Sequence, residues 1–329
     1  MFEIKLKNNK SFFCDSKVTV LDAAKQKGII LEHSCLSARC RSCIVQILEG
    51  EVENVQEELV LSELERKTGY ALSCNVRPLS NLILNCEDLS DIEMFEPSVY
   101  PSKINAFEKI KDDILMLELR LPPIHNFKFN AGQYVNIIKD KIKRSYSIAN
   151  KPNSSNKIEF YIKNYEGGLM SDYLFSNAKK DDLLRIEGPF GTFFYRNDPL
   201  VNNIIFLATG TGIAPINSIL EQLNQNPKLC AEKKIWLFWG GRYIEDIFMK
   251  PHYDQLELSY VPVLSRKNEN WNGETGYVQD ALMRRKINLR DSQVYACGSI
   301  DMITSARELL INNNLKANNF YSDAFVISN

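Results

Sequence analysis

The amino-acid sequence predicts three consecutive folds: an α+β domain of the β-grasp type, an antiparallel β-barrel, and an α/β domain built on a parallel sheet. Three observations carry this. The first ninety residues interleave short strands with two short helices; strands from Ile114 onward keep an in–out alternation; and Ile204-Ile-Phe-Leu-Ala208 is a continuous apolar run that enters a glycine-rich turn and a helix, as a strand buried on both faces does. The 329 residues suit two or three cores. Expected boundaries are 1–90, a linker over 91–101, 102–199 and 200–329. A formal net charge of −1 gives no footing for nucleic acid or an anionic membrane surface. No apolar run approaches the roughly 20 residues that span a bilayer. The opening Met1-Phe2-Glu3-Ile4-Lys5-Leu6 reads as a strand rather than a signal peptide. Of eight cysteines, four fall in one pattern and Cys14, Cys86, Cys230 and Cys297 are scattered, which fits a reducing cytoplasm better than a disulfide framework.

In the first ninety residues, Phe2 to Phe13 alternates through a polar turn at Asn8-Asn9-Lys10 and reads as a hairpin. Thr19-Val-Leu-Asp22 resembles a capping box that opens a helix, and Gly28 stops it. The loop that follows sets Cys35, Cys40 and Cys43, with Cys74 downstream, at Cys-x4-Cys-x2-Cys…Cys, the ligand spacing of a plant-type [2Fe–2S] centre. Four thiolates must surround two ferric ions and their bridging sulfides, three from one tight loop and one from a return strand. Zinc also takes four cysteines, but usually from paired Cys-x-x-Cys hooks, and Cys74 has no hook of its own. The strand Ile44–Leu48, a second capping signal at Ser62-Glu63-Leu64-Glu65, the return strand Leu72-Ser73-Cys74 and a closing strand Leu82–Leu84 complete the domain.

Glu87 to Pro101 is acidic, carries two prolines and has no clear period, as a linker would. Ile114–Leu121 and Tyr134–Ile138 then read as barrel strands, and Gly132-Gln133-Tyr134 leads into Arg144-Ser145-Tyr146-Ser147. Alternation puts Arg144 and Tyr146 on one face. A flavin needs a flat aromatic surface, a donor near its N5 atom and a cation for its phosphate; Tyr146, Ser147 and Arg144 can supply them. An ordinary half-buried strand has the same pattern. Gly167-Gly168-Leu169-Met170-Ser171 opens an expected apolar helix, Leu169 to Phe175, whose N-terminal amides would face a pyrophosphate; a plain glycine turn is the alternative. Glu187-Gly-Pro-Phe-Gly191 is expected to make a tight turn at the end of the barrel.

In the last third, Thr209-Gly210-Thr211-Gly212-Ile213-Ala214-Pro215 follows the buried strand and opens a helix running through Leu223. Strand, glycine turn and helix N-terminus form a pyrophosphate cradle. The third glycine of the Rossmann fingerprint is replaced by Pro215. No acidic residue ends the next strand, Ile235–Trp239, which runs into Gly240-Gly241-Arg242, so this is not the common dinucleotide dehydrogenase pattern. A later strand, Gln293–Ala296, ends at Cys297-Gly298-Ser299 before a helix from Met302 to Leu310. Ligands of such sheets sit beyond the carboxyl ends of the strands, where Gly210, Gly212, Cys297 and Gly298 fall. A buried structural thiol is the plain alternative for Cys297.

With these residues laid out, the chain resembles the ferredoxin–NADP⁺ reductase superfamily fused to an N-terminal plant-type ferredoxin, through Arg144–Ser147, Thr209–Pro215 and Ala296–Ser299 in the right order. Within it, Arg144-Ser-Tyr-Ser-Ile-Ala-Asn150, Leu184–Pro189, Gly191–Phe194, Tyr295–Ser299 and Phe320–Val326 resemble the CDP-6-deoxy-delta-3,4-glucoseen reductases of 3,6-dideoxyhexose (lipopolysaccharide O-antigen) synthesis. The resemblance implies FAD, a [2Fe–2S] cluster and preferably NADH. It also implies an electron-accepting partner, the pyridoxamine-phosphate-dependent CDP-4-keto-6-deoxyglucose 3-dehydrase, which holds a CDP-sugar. Nicotinamide gives up two electrons at once and the cluster accepts one, so a flavin between them makes a step-down relay. By the same resemblance Tyr146 flanks the flavin ring, Ser147 hydrogen-bonds near N5, Arg144 neutralises phosphate with help from Gly167, Gly168 and Ser171, Cys297 lies by the nicotinamide, and Phe325 is near the other flavin face. Ser265-Arg266, with Arg242, resembles the pair that holds the 2′-phosphate of NADPH, so NADPH stays open. The ferredoxin pattern usually has glycine where this chain has Ala38 and a small residue where it has Arg41. Arg39 and Arg41 could raise the cluster potential, greet an acidic partner, or lie solvated on an exposed rim. The alternatives are the reductase component of an aromatic-ring dioxygenase or di-iron monooxygenase, and a zinc-binding interaction module joined to a flavin sensor.

Overall fold

The structure, a computed structural model, describes residues 1–153, 155–266 and 271–325. It divides into two compact units, Met1–Glu93 with residues 322–325, and Met94–Tyr321.

The first unit begins with the expected hairpin, β1 (Phe2–Leu6) and β2 (Ser11–Cys14), then α1 (Val20–Gln26), β3 (Ile44–Glu49), β4 (Val52–Asn54), α2 (Glu63–Lys67), β5 (Tyr70–Leu72), β6 (Val76–Pro78) and β7 (Leu82–Asn85). Five strands form one sheet in the order β2-β1-β7-β3-β5, with β1 antiparallel to β2 and parallel to β7. Helix α1 starts where Thr19 Oγ1 accepts from the Asp22 amide at 3.1 Å. It buries Val20, Leu21, Ala23 and Ala24 against Ile4, Leu6, Phe12, Leu82 and Leu84 of the sheet. This single helix clasped by a mixed sheet is the β-grasp arrangement. Helix α2 has the full capping box: the Ser62 side chain accepts from Glu65 N, and the Glu65 carboxylate accepts from Ser62 N.

The second unit opens with a six-stranded antiparallel sheet: β8 (Ser98–Lys111), β9 (Ile114–Arg120), β10 (Tyr134–Lys139), β11 (Ile142–Ser147), β12 (Lys157–Lys163) and, after the short helix α3 (Leu169–Asp172), β13 (Leu183–Phe190). The order is β11-β10-β13-β8-β9-β12, and its two end strands approach each other to give a barrel. Its core includes Leu115, Leu117, Leu119, Val135, Ile137, Ile158, Phe160 and Ile162, alternate positions along three strands, β9, β10 and β12. Three expectations are corrected here. Ser98 to Pro101 are not linker but the start of β8, where Pro101 sits opposite Arg185. Glu187 to Phe190 finish β13 rather than forming a turn. The helix expected from Leu169 to Phe175 stays α-helical only to Asp172 and continues as a wider π-turn over Tyr173–Asn177.

A parallel sheet follows from β14 (Asn203–Thr209), α4 (Ile213–Gln225), β15 (Lys234–Gly241), β16 (Leu258–Leu264), β17 (Glu274–Thr275), α5 (Val278–Arg284), β18 (Ser292–Gly298), α6 (Ile300–Asn312) and β19 (Phe320–Ala324), in the strand order β17-β16-β15-β14-β18-β19. β14 and β18 are its centre: six of the seven residues of β14 and all seven of β18 are buried, which is why Ile204–Ala208 reads as an unbroken apolar run, while β18 buries polar Ser292 and Gln293 as well. No helix among the described residues is long and apolar enough to cross a membrane.

Candidate functional site

In the first unit, the loop between α1 and β3 carries three cysteines, and the turn after β5 carries the fourth. The loop holds Leu36, Ala38 and Arg41 in the left-handed region, at φ of 54°, 57° and 65°. Each such non-glycine residue costs about 1–2 kcal/mol. Burial of Ala38 and Arg41, 6% and 4% exposed, lets the surrounding packing hold them there. The loop's reward is its N–H groups. The amides of Ser37 and Arg39 both point at Cys35 Sγ at 3.4 Å, and the Cys35 amide points at Cys40 Sγ at 3.3 Å. Donors aimed at sulfur stabilise thiolate.

The four sulfurs fall into two pairs. Cys43 Sγ lies 3.1 Å from Cys74 Sγ, and Cys35 hydrogen-bonds Cys40. In each pair one thiol is easily ionised at the expense of the other. Cys35 falls to about 5, because Cys40 donates to it and the Ser37 and Arg39 amides assist. Cys74 is lowered by Cys43, while Cys40 and Cys43 are pushed up by holding the shared proton and by burial. Among the described residues no three His, Cys, Asp or Glu side chains converge as a single metal ion requires. Four cysteine sulfurs set in two close pairs are a donor set that fits a [2Fe–2S] cluster.

The two loop arginines part company. Arg39 is exposed. Arg41 is not on a solvated rim: its guanidinium is buried, donates to the Val60 carbonyl and pairs with Glu65. Neither anchor is visible in the cysteine motif, although the capping signal at Ser62–Glu65 marks the place.

In the second unit, β11 presents Arg144, Tyr146 and Ser147 at its end, paired with β10 through Val135↔Tyr146 and Tyr134↔Ser147. Burial pushes the Tyr146 phenol up, against the pull of neighbouring Arg144, so the ring is a neutral, half-buried flat surface. The Arg144 Nη1 donates to the Lys143 carbonyl at 2.9 Å. The Gly167–Gly168 turn is tied by Ser171, whose hydroxyl donates to the Gly168 carbonyl at 2.8 Å and the Tyr165 carbonyl at 3.1 Å. A Cβ on Gly168 would stand 2.5 Å from that hydroxyl. Ser171 therefore shapes the turn through its own backbone partners.

At the carboxyl ends of the parallel strands, the expected row is brought together. Ala208 of β14 pairs with Cys297 of β18. Gly210, Thr211 and Gly212 form a single 3₁₀ turn leading into α4. The turn packs so closely that a Cβ on Gly212 would lie 2.2 Å from the Cys297 carbonyl oxygen, and one on Gly298 would lie 2.1 Å from Thr209 Oγ1. Cys297 itself is fully buried. Two neighbouring strand ends supply the other group. Behind β15 and β16, the Ser265 amide donates to the Gly241 carbonyl and the Arg266 amide to the Arg242 carbonyl, at 2.9 and 3.2 Å. The Arg266 Nη1 donates to the Tyr243 hydroxyl at 2.7 Å, with the guanidinium over the ring at 5.4 Å from its centre. Phe325 follows β19 and groups with the first unit.

Sequence reasoning missed three supports. The Trp239 indole donates to the Gly210 carbonyl at 3.0 Å and pins the glycine turn. Tyr243 holds Arg266. Asn217 and Ser218, the polar members of the buried face of α4, donate to the carbonyls of Ala149 and Asn150 just beyond β11, at 2.8 and 2.7 Å. They fix the Tyr146 strand to the helix that begins at the glycine turn. Two polar residues inside an apolar helix pattern were the available signal.

Comparison with known proteins gives the same three parts. A 2Fe-2S iron-sulfur cluster binding domain matches residues 4–79, an oxidoreductase FAD-binding domain 101–195, and an oxidoreductase NAD-binding domain 206–308. The chain is 38% identical over 322 residues, 96% of each chain, to the CDP-6-deoxy-L-threo-D-glycero-4-hexulose-3-dehydrase reductase of Yersinia pestis. It is 36% identical to the protein RfbI of Salmonella typhimurium, over 94% of this chain and 92% of that one. It is 31% identical to a terephthalate 1,2-dioxygenase reductase component of Comamonas, over 97% and 95%. In fold it is similar to the ferredoxin reductase of carbazole 1,9a-dioxygenase, with a TM-score of 0.69 at 24% identity, covering 99% and 98%.

Proposed function

The chain belongs to the ferredoxin–NADP⁺ reductase family, in the branch that carries an N-terminal [2Fe–2S] domain, and from that membership we propose that its electron acceptor is a CDP-sugar 3-dehydrase. It is an NAD(P)H-dependent flavin and iron–sulfur oxidoreductase that serves a partner enzyme. Bound FAD and cluster supply the conversion of a two-electron donor into single electrons. The observation that carries the choice of partner is the gradient of identity: 38% and 36% to the hexulose-dehydrase reductase and RfbI, against 31% to a dioxygenase reductase of similar coverage.

The residues take these roles in our reading. Cys35, Cys40, Cys43 and Cys74 ligate the irons. Tyr146 gives the flavin ring an apolar face, Ser147 donates near N5, and Arg144 faces flavin phosphate. Gly167 and Gly168 let backbone amides approach, and Ser171 holds their turn. Thr209, Gly210, Thr211 and Gly212 cradle the dinucleotide pyrophosphate, while Cys297 and Gly298 border the nicotinamide end. Arg242, Ser265 and Arg266 border the adenosine end. Arg266 is already engaged by Tyr243, an exposed pair worth about 0.5–1 kcal/mol. Its remaining N–H donors could still meet a 2′-phosphate, so the choice of NADH over NADPH rests on the resemblance to the NADH-preferring branch. The boundaries 1–90, 102–199 and 200–329 serve as domains in this reading, with the connector shortened by the start of β8. The cysteines, none of them disulfide-bonded among the described residues, suit a reducing cytoplasm.

The test is anaerobic NADH oxidation by the purified protein, with and without a CDP-4-keto-6-deoxyglucose 3-dehydrase and its sugar nucleotide. The expected result is turnover that requires both. Turnover unchanged by that pair but stimulated by an aromatic-ring dioxygenase would favour the other partner class.

A further inference from the structure

We propose that the ion pair between buried Arg41 and half-buried Glu65 is a positioning and charge-balancing device for the iron–sulfur cluster. Removal of either partner is expected to displace the cluster's reduction potential, in opposite directions. This rests on the [2Fe–2S] assignment to Cys35, Cys40, Cys43 and Cys74.

Arg41 lies between two ligands in sequence, yet its side chain is only 3% exposed and does not reach solvent. It turns into the segment ahead of α2, donating to the Val60 carbonyl and to Glu65. That segment is one wall of the cysteine pocket: Leu61 is buried against Ala38, Cys43 and Leu72, with Val60 and Cys74 packed beside them. The guanidinium therefore links the ligand loop to the wall that covers it. The Arg41 Nε is buried with no partner among the described residues, so the cation is committed to this site at some cost.

The carboxylate is equally committed. Burial alone would push Glu65 up, but the Ser62 amide and the Arg41 guanidinium bring it below the ordinary carboxylate range. The neighbouring charges are also paired: Glu58, nearly buried, accepts from the Val60 and Leu61 amides and binds Arg66 at 3.0 Å. An added electron makes the cluster more negative, so an unbalanced cation beside it favours reduction and an unbalanced anion opposes it. The Arg41 side chain is 3% exposed and that of Glu65 17%, so the cation is weakly screened and the carboxylate more so. With Glu65 opposite it, Arg41 does not act as a free cation near the cluster. Exposed Arg39 is left as the unburied loop charge.

The experiment uses the full-length holoprotein. It compares wild type, Glu65→Gln, Arg41→Gln and the double variant by EPR-monitored redox titration, with iron and acid-labile sulfide counted per chain. Gln at 65 can still accept from the Ser62 amide, so the cap survives. The expected result is a higher midpoint for Glu65→Gln, a lower one for Arg41→Gln, and a double variant closer to wild type than either. Midpoints that move in the same direction, or do not move, overturn the proposal. Should Arg41→Gln retain no iron, Glu65→Gln decides alone: a rise supports charge balance, and an unchanged or lowered midpoint refutes it. Wild-type protein with no recoverable iron or sulfide would instead refute the cluster assignment itself.

Discussion

Gly212→Ala tests how the dinucleotide site is built. Gly212 has φ of −60°, a backbone that alanine accepts freely, so the substitution carries no conformational penalty at that residue. The obstacle is space. A Cβ there would stand 2.2 Å from the Cys297 carbonyl oxygen, 2.6 Å from its carbon and 3.0 Å from the Gly298 nitrogen. The shortest contact is about 1 Å inside van der Waals range. All three atoms are backbone in a fully buried strand, so no side chain can swing aside. The N-terminus of α4 must back away from β18, a forced overpacking worth about 1–3 kcal/mol. In a unit of this size each kcal/mol lowers the unfolding midpoint by roughly 2–4 °C. The proper control is Gly210→Ala. Gly210 has φ of +53° and open space around its missing Cβ, so alanine costs only left-handed strain, about 1 kcal/mol. Thermal unfolding and the KM for NADH, measured on both variants, separate the two. Gly212→Ala is expected to lose more stability and to raise the KM, because the turn that approaches the pyrophosphate moves. A Gly212→Ala protein as stable as wild type with unchanged KM, or a Gly210→Ala protein that suffers more, would refute the close-approach reasoning.

Four further outcomes are expected. Cys74→Ser breaks one cysteine pair, so the visible cluster spectrum and the iron content fall while NADH–ferricyanide activity, which needs only the second unit's sites, persists; loss of both would contradict the modular reading. Tyr146→Ala removes an aromatic surface worth about 0.5–1.5 kcal/mol, so FAD should dissociate roughly 2- to 12-fold more readily, read by flavin released on dilution. Arg266→Ala should raise the KM for NADPH and leave that for NADH unchanged, and a defect confined to NADH would reverse the assignment. Asp88 gives a pH signature. Burial would raise it, but hydrogen bonds from Lys10, Ser90 and Asn8 bring it down to about 2. A depressed carboxylate stabilises the fold above its unfolded value near 4 and loses that contribution as pH falls through about 2. Its side chain is 2% exposed but Lys10 is 42% exposed, so solvent screening trims the effect to about 1–2 kcal/mol. Asp88→Asn should then destabilise the first unit in urea at pH 7 and make little difference at pH 2.

What could be read from the chain depended on whether the physical cause is local. The cysteine spacing, the two caps at Thr19 and Ser62 and the apolar run of β14 are set by neighbours a few residues away, and each appears where expected. The glycine turn at Gly210–Gly212 was legible for the same reason. Supports that close long loops were not. Trp239 reaches Gly210, Tyr243 reaches Arg266, and Asn217 reaches Ala149 across 29, 23 and 68 residues. No periodicity records such distances. The start of β8 was hidden by prolines that suggest a linker, although Pro101 is tolerated because a strand position can do without an amide donor. The resemblance gives Ser171 a part in binding flavin phosphate, but its bonds to the two carbonyls beside it, which shape the turn, are not written in that motif.

The cysteine loop shows why a departure from a motif can be informative. Ala38 and Arg41 stand where the ferredoxin pattern favours glycine or a small residue, and both are left-handed. Had the loop relaxed to suit them, the Ser37 and Arg39 amides would no longer meet Cys35 Sγ. The backbone instead keeps the strained shape, so something must outweigh the strain. At Ala38 it is packing against Leu61, Leu72 and Cys43. At Arg41 it is an ion pair and a carbonyl contact that glycine could not make. Arg41→Gly should therefore relieve the φ strain yet lower stability, because it removes the guanidinium's hydrogen bonds to Val60 and Glu65, each a charge-assisted contact of about 1.5–3 kcal/mol, against a gain of about 1–2. Strain at this position is thus the by-product of a contact selected for something else, which is what a role beside the cluster would require.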